Sequence, residues 1–134
     1  MEDCEMTDFS HLHPLRSGFI TPTIVPKPWG HEAWLVVTPY YVFKHLHVNA
    51  GHSLSYQYHA QKMETLNLYE GDCIITLHEK DDPQRQFRFR KGHVVHIMPG
   101  TLHSFKALTD IILAEVSTPE LDDVVRLEDR YGRK

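Results

Sequence analysis

Four residues carry side chains suited to metal chemistry, at spacings that a β-sheet turns into proximity. Gln57 and His59 stand two apart in Ser55-Tyr-Gln-Tyr-His59, and on a strand alternate residues leave the same face. Glu64 follows five residues later, past a turn expected at 60–62, where the next strand brings it back beside them. His103, in Met98-Pro-Gly-Thr-Leu-His103, closes the set from another strand. Imidazole nitrogen, carboxylate oxygen and amide oxygen make a mixed shell suited to zinc, manganese, iron, nickel or cobalt. Gln57 is neutral, so the shell carries the single negative charge of Glu64. One divalent ion held there keeps net positive charge and open positions for water or substrate oxygens, as catalytic ions do.

The elements that must position these residues are strands. From Thr23 onward the chain reads as short β-type runs separated by turn residues, the texture of a sandwich or barrel. The expected runs are 32–38, 41–48, 53–59, 65–69, 73–78, 86–89, 93–98, 103–108 and 111–116. Asn49-Ala-Gly51, Glu70-Gly-Asp72, Asp81-Asp-Pro83 and Pro99-Gly100 are among their punctuation. Over 41–48 the side chains alternate, with Val42, Lys44, Leu46 and Val48 on one face and Tyr41, Phe43, His45 and His47 on the other. After Thr118-Pro119, the spacing of Leu121, Val124, Val125 and Glu128 predicts a short C-terminal helix stopped by Gly132. Residues 1–20 are polar and aperiodic and read as a flexible arm, leaving one all-β domain over 21–134.

Two motifs in this pattern resemble those of the cupin superfamily. Gly51, Gln57, His59, Glu64 and Gly71 fall on the first, with Gln57 where many cupins have histidine; Gly92, Gly100 and His103 fall on the second. A closer resemblance runs from about Val25 to Arg133. Lys27-Pro-Trp-Gly30 with Glu32, Ser53-Leu54 leading to Gln57 and His59, and Arg126-Leu-Glu-Asp-Arg-Tyr-Gly-Arg133 look like the type II phosphomannose isomerase cupins. Between the ligands, the family's basic, histidine-rich run is here Ala60-Gln61-Lys62, and Leu66 replaces an aromatic. The resemblance implies a cupin jelly-roll barrel (a double-stranded β-helix). In that family the cupin is usually the C-terminal half of a bifunctional enzyme, and because 134 residues leave no room for the other half this chain is expected to be a stand-alone relative.

The resemblance further implies an aldose–ketose isomerase acting on a sugar phosphate, mannose 6-phosphate first among candidates. Such an enzyme takes a proton from the carbon beside a carbonyl and returns it to the neighbouring carbon. The metal would polarise the two oxygens and stabilise the enediolate charge. Lys27, Arg126 and Arg133 are the cations expected to hold phosphate, arginine as a planar fork and lysine as a point charge. Trp29 would face the sugar ring, and Tyr131 belongs to the same substrate-binding set. Lys62, Glu115 and Arg126 are the candidate catalytic residues, and His45, His47 or a metal-bound hydroxide are further choices for the base. Glu115 stands out because it interrupts the apolar run 111–116, where a buried carboxylate needs a partner.

Each assignment has a plainer alternative. The terminal run of Arg126, Asp129, Tyr131 and Arg133 would equally serve as a local ion-pair network locking the C-terminus onto the barrel. Lys27-Pro-Trp-Gly30 would equally be a rigid turn with a core tryptophan, and Glu115 a structural partner of a basic residue. Met63 and Met98 read as core filler. At the level of function, the alternatives are a non-catalytic sugar-binding sensor and an iron-dependent cupin oxygenase, since fold alone does not fix chemistry.

Composition narrows the field. The 134 residues carry 14 Lys+Arg against 18 Asp+Glu, a net charge of -4, which leaves no electrostatic footprint for nucleic acid. The two cysteines, Cys4 and Cys73, form no disulfide framework and suit a reducing cytoplasm. No apolar run approaches the ~20 residues of a membrane-spanning helix, so no membrane partner is expected. Open β-barrels leave strand edges for a partner, which makes a homodimer the expected assembly. Histidine is over-represented, 11 against 7 glycines, yet spacing nominates only His59 and His103 as ligands. His45, His47 and His96 are placed as pocket neighbours, and the rest at the surface or strand edges.

Overall fold

The computed structural model describes residues 16–133, so most of the expected arm, with Cys4, His11 and His13, lies outside the described residues. Eleven strands follow one another among them: β1 (Thr23–Lys27), β2 (Gly30–Val37), β3 (Val42–Val48), β4 (Tyr56–Tyr58), β5 (Glu64–Glu70), β6 (Asp72–His78), β7 (Arg85–Arg90), β8 (Val94–Ile97), β9 (Leu102–Ala107), β10 (Ile111–Ser117) and β11 (Val125–Glu128). They form two antiparallel sheets, ordered β1-β2-β3-β10-β5-β8 and β11-β4-β9-β6-β7. All nine expected runs appear as strands, within a few residues at their ends. No helix of the described residues is long and apolar enough to cross a membrane.

The two sheets enclose an interior whose two ends differ, and the difference is written along each strand. On β10 the buried positions run Ile111, Leu113, Glu115, Ser117; on β9 they run from Ala107 and Phe105 to His103. On β5 they run from Leu68 and Leu66 to Glu64, and on β3 from Val48 and Leu46 to Lys44. Antiparallel register stacks the like ends together, pairing Lys44 with Glu115 and Glu64 with Ser117. One end is therefore an apolar plug of Val48, Leu68, Cys73, Ile75, Phe89, Phe105, Ala107, Ile111 and Leu113. The other end is a polar chamber, which such a plug keeps rigid from below.

The Lys27-Pro-Trp-Gly30 motif is a two-residue turn joining β1 to β2, with Lys27 opposite Gly30. Trp29 is 3% exposed and packs in the core cluster, as the rigid-turn reading expects. Gly30 has φ +151°, and a Cβ built there would lie 2.0 Å from the His47 carbonyl oxygen. Backbone cannot yield as a side-chain tip can, so Gly30→Ala is expected to cost about 2–4 kcal/mol and lower the melting temperature by roughly 5–15 °C. Thermal denaturation checks this, and an unchanged midpoint contradicts it.

Several expectations are corrected. The segment predicted as a C-terminal helix contains β11, whose Val125 and Arg126 pair with Tyr58 and Gln57 of β4. Its eight residues are too few for a helix to hold on its own nucleus, and pairing with a sheet edge satisfies the backbone instead. The side chains alternate with period two: Val125 and Leu127 face out, while Arg126 is half-buried between them. Met63 and Met98 are surface residues, 38% and 48% exposed, not core filler. His45 and His47 lie on the outer face of β3, where His47 stacks on His31 at 4.3 Å and His45 on Tyr69 at 6.2 Å. The inward face of β3 belongs to Lys44. His96 is likewise exposed, bonded to Thr65 and Met98.

Candidate metal centre

His103 on β9 and Gln57 on β4 are directly paired neighbours in the five-stranded sheet. His59 follows the end of β4, and Glu64 opens β5 in the opposite sheet, so the set spans the gap between sheets. His59, Glu64 and His103 are all buried, and their ligand atoms lie within 4.8 Å of one another. Glu64 Oε2 is 2.9 Å from His59 Nε2 and 3.2 Å from His103 Nε2. The Ser55 hydroxyl donates to Gln57 Oε1 and orients the amide at the edge of the set.

The other ring nitrogens fix the chemistry. His59 Nδ1 donates to the Asp123 carbonyl at 2.5 Å, and His103 Nδ1 donates to the Thr101 carbonyl at 2.9 Å. A carbonyl only accepts, so each Nδ1 carries hydrogen, and in its neutral, metal-binding form each ring turns a bare Nε2 lone pair toward Glu64. Two imidazole lone pairs and a carboxylate then converge with no donor among them. His59 Nε2 and Glu64 Oε2 are buried and have no hydrogen-bond partner. Leaving such atoms unmatched is costly, and a divalent cation matches all three. The donor set and its carbonyl-tied outer shell therefore fit a metal ion.

Lys62, Glu115 and the second Glu64 oxygen extend the centre. Lys62 Nζ is 3.2 Å from Glu115 Oε2 and 3.7 Å from Glu64 Oε1, and all three side chains are buried. Burial opposes ionisation of Glu64, and the Lys62 ammonium beside it pulls the other way and favours the carboxylate. Burial is also the largest influence on Glu115 and raises it, against the pull of Lys62. For Lys62 burial favours loss of the proton, yet Glu115 and Glu64 outweigh it and raise the ammonium further, so it stays charged.

These groups line a cavity of about 530 Å³. The same cavity is lined by Lys27, Lys44, Arg126 and Arg133 with Glu32 and Trp34, Arg126 lying beside Gln57 and Lys44 beside Glu115 in the strand registers. Glu32 accepts from Lys44 Nζ at 3.2 Å and from Trp34 Nε1 at 2.7 Å, with Lys27 Nζ 3.9 Å away. Burial opposes ionisation of Glu32, but the Lys44 and Lys27 charges prevail and lower it. Arg133 is gripped by Asp129 through two 3.0 Å bonds. Burial first and the neighbouring Arg133 charge second lower the Arg126 pKa.

Of the expected site residues, Gln57, His59, Glu64, His103, Lys62, Glu115, Lys27, Trp29, Arg126 and Arg133 all border this one cavity. Tyr131 does not; its hydroxyl meets His52 Nδ1 at 2.7 Å and its ring stacks on His52. The terminal motif thus divides its labour, with Asp129 and Tyr131 fastening the chain while Arg126 and Arg133 reach the cavity. Sequence reasoning missed Lys44, Trp34 and Asp123. Lys44 was signalled by sharing a strand face with Val42, Leu46 and Val48. Trp34 lies opposite Lys44 on β2, which only the register reveals.

The family model for the mannose-6-phosphate isomerase C-terminal domain matches residues 17–129. No curated protein sequence matches the chain. Similar solved structures include the capsular polysaccharide assembling protein CapF from Staphylococcus aureus, with 19% identity, TM-score 0.71, and coverage of 82% of this chain and 32% of that one. Oxalate decarboxylase from Bacillus subtilis is similar at 14% identity and TM-score 0.72, over 88% of this chain and 34% of that one. The Lactobacillus farciminis oxalate decarboxylase is similar at 15% identity and TM-score 0.68, over 79% and 33%. The chain spans about a third of the length of each of these. At such identities the likeness shows the shared cupin fold.

Proposed function

Since the chain belongs to the mannose-6-phosphate isomerase C-terminal family of cupins, we propose that it is a metal-dependent sugar-phosphate aldose–ketose isomerase, with mannose 6-phosphate the first substrate to test. The observation that carries this reading is the pairing, in one cavity, of a His–Glu–His centre with an arginine-bearing wall. Gln57, His59, Glu64 and His103 would hold the ion, which supplies Lewis-acid polarisation of two neighbouring substrate oxygens. The remaining work falls to side chains. Arg126 and Arg133 are near enough to repel, and a phosphate between two guanidinium groups relieves that repulsion while accepting their forks. Lys27 and Lys44 add positive charge to the same cavity, and Trp29 borders the space for the sugar.

The proton must move at a carbon near the ion. Lys62 keeps its proton under the pull of two carboxylates, which suits it to donate to, or electrostatically steady, a developing oxyanion. Glu115, raised by burial, is the carboxylate better matched to taking a proton near neutral pH. Metal-loaded protein incubated with mannose 6-phosphate in deuterated water should exchange the C2 proton and accumulate fructose 6-phosphate. Sugar-phosphate binding without exchange would replace this reading with a sensor. Oxygen consumption by the ferrous protein would replace it with an oxygenase.

A further inference from the structure

We propose that Asp123 is a positioning residue for the metal centre, holding the His59 ring in register from the segment that joins β10 to β11. The proposal rests on the metal-site reading, not on the isomerase reading. The two histidines obtain their outer-shell partners in different ways. His103 donates to the carbonyl of Thr101, two residues earlier and next to its own strand, so its orientation is built in locally. His59 has no such local partner; its Nδ1 donates to the carbonyl of Asp123, 64 positions away in the chain. Something must bring that carbonyl to the ring and keep it there.

The Asp123 side chain does so. Its carboxylate accepts from three consecutive backbone amides: Ala60 N to Oδ1 at 2.9 Å, Gln61 N to Oδ2 at 2.6 Å and Lys62 N to Oδ2 at 2.8 Å. Successive N–H groups curled around one anion form a fixed concavity. The turn they belong to runs from His59 to Lys62, between the ligands His59 and Glu64. One residue thus grips the turn with its side chain and the ring with its main chain. The amides of Ala60 and Gln61 lie at the surface, where water would satisfy them, so backbone satisfaction does not require a carboxylate here. What the carboxylate adds is placement. The neighbours Leu121, Asp122 and Val124 line the cavity, so the same grip seats the cavity's edge against the centre.

The test uses the full chain with Asp123→Ala and Asp123→Asn. Zinc affinity is measured by chelator competition, and the His59 and His103 ring nitrogens are followed by 15N NMR in the metal-free protein. Loss of an outer-shell partner weakens metal binding by about 10–100-fold. Asp123→Ala is expected to show that loss, with the His59 ring leaving its Nδ1–H tautomer while His103 keeps its own. Asp123→Asn, retaining one acceptor oxygen, should fall between and covers the case in which the alanine variant does not fold. Unfolding alone would disturb both rings together, so a selective change at His59 marks positioning. Zinc affinity within about twofold of the parent and unaltered His59 signals in the folded variants overturn the proposal. Should the parent bind no divalent ion, the metal reading fails, and the ring signals alone decide what Asp123 does.

Discussion

Replacing His59 and His103 together with alanine is expected to weaken divalent-metal binding by roughly ten-thousand-fold, leaving no stoichiometric ion after dialysis. Apparent binding energies at structural zinc sites run to about 10–16 kcal/mol, or about 3 kcal/mol per ligand over four ligands, and two lost ligands forfeit about 6 kcal/mol. Among the described residues no other histidine lines the cavity. His45 and His47 point away on the outer sheet face, and His96 and His93 are exposed. The fold should survive, because both rings sit at the polar end of the interior, outside the apolar plug. Metal analysis of the dialysed protein beside its circular dichroism spectrum checks the prediction. A full complement of metal in a folded double variant contradicts it.

Lys62→Met is expected to destabilise the metal-free protein by about 3–5 kcal/mol, the cost of leaving a buried charge without its partner. Lys62 is the ammonium between two buried carboxylates, 3.2 Å from Glu115 and 3.7 Å from Glu64. Without it the two buried acids face each other with no cation between them, one of them already raised by burial. Domains of this size hold a total stability of about 5–15 kcal/mol, so the loss is a large share. Urea denaturation reads it directly. The double change Lys62→Met/Glu115→Leu should recover most of the stability, since an apolar pair can replace a buried ion pair with little loss. A loss below about 1 kcal/mol in the single variant would mean that the two acids are paired elsewhere.

The sequence exposed much of this site because strand parity is rigid. Gln57 and His59 two apart, and Glu115 in step with Ile111 and Leu113, cannot choose their faces independently. The same parity put Lys44 with Val42 and Leu46, so His45 and His47 had to face out; rings suited to acid–base chemistry were the wrong ones to follow. The C-terminal segment misled for a different reason. The spacing of Leu121, Val124 and Val125 matches a helix, but Leu121 and Val124 line the cavity from a crossing segment, and the strand begins only at Val125. β1 leaves little trace in the sequence because Thr23–Lys27 is an exposed edge with little alternation to read. Asp123 was invisible for a deeper cause: its partners lie some sixty residues away, and no local pattern distinguishes a carboxylate gripping a distant turn from one in solvent.

His59, Glu64 and His103, with Gln57, are expected to share one ion. X-ray absorption spectroscopy of the zinc-loaded protein tests it most directly. One zinc per chain is expected, with two imidazole ligands at about 2.0–2.1 Å, the rest of the shell oxygen, and no sulfur. The imidazole signature should disappear in the His59→Ala/His103→Ala variant. A spectrum without imidazole scattering, or one unaltered in that variant, would contradict it.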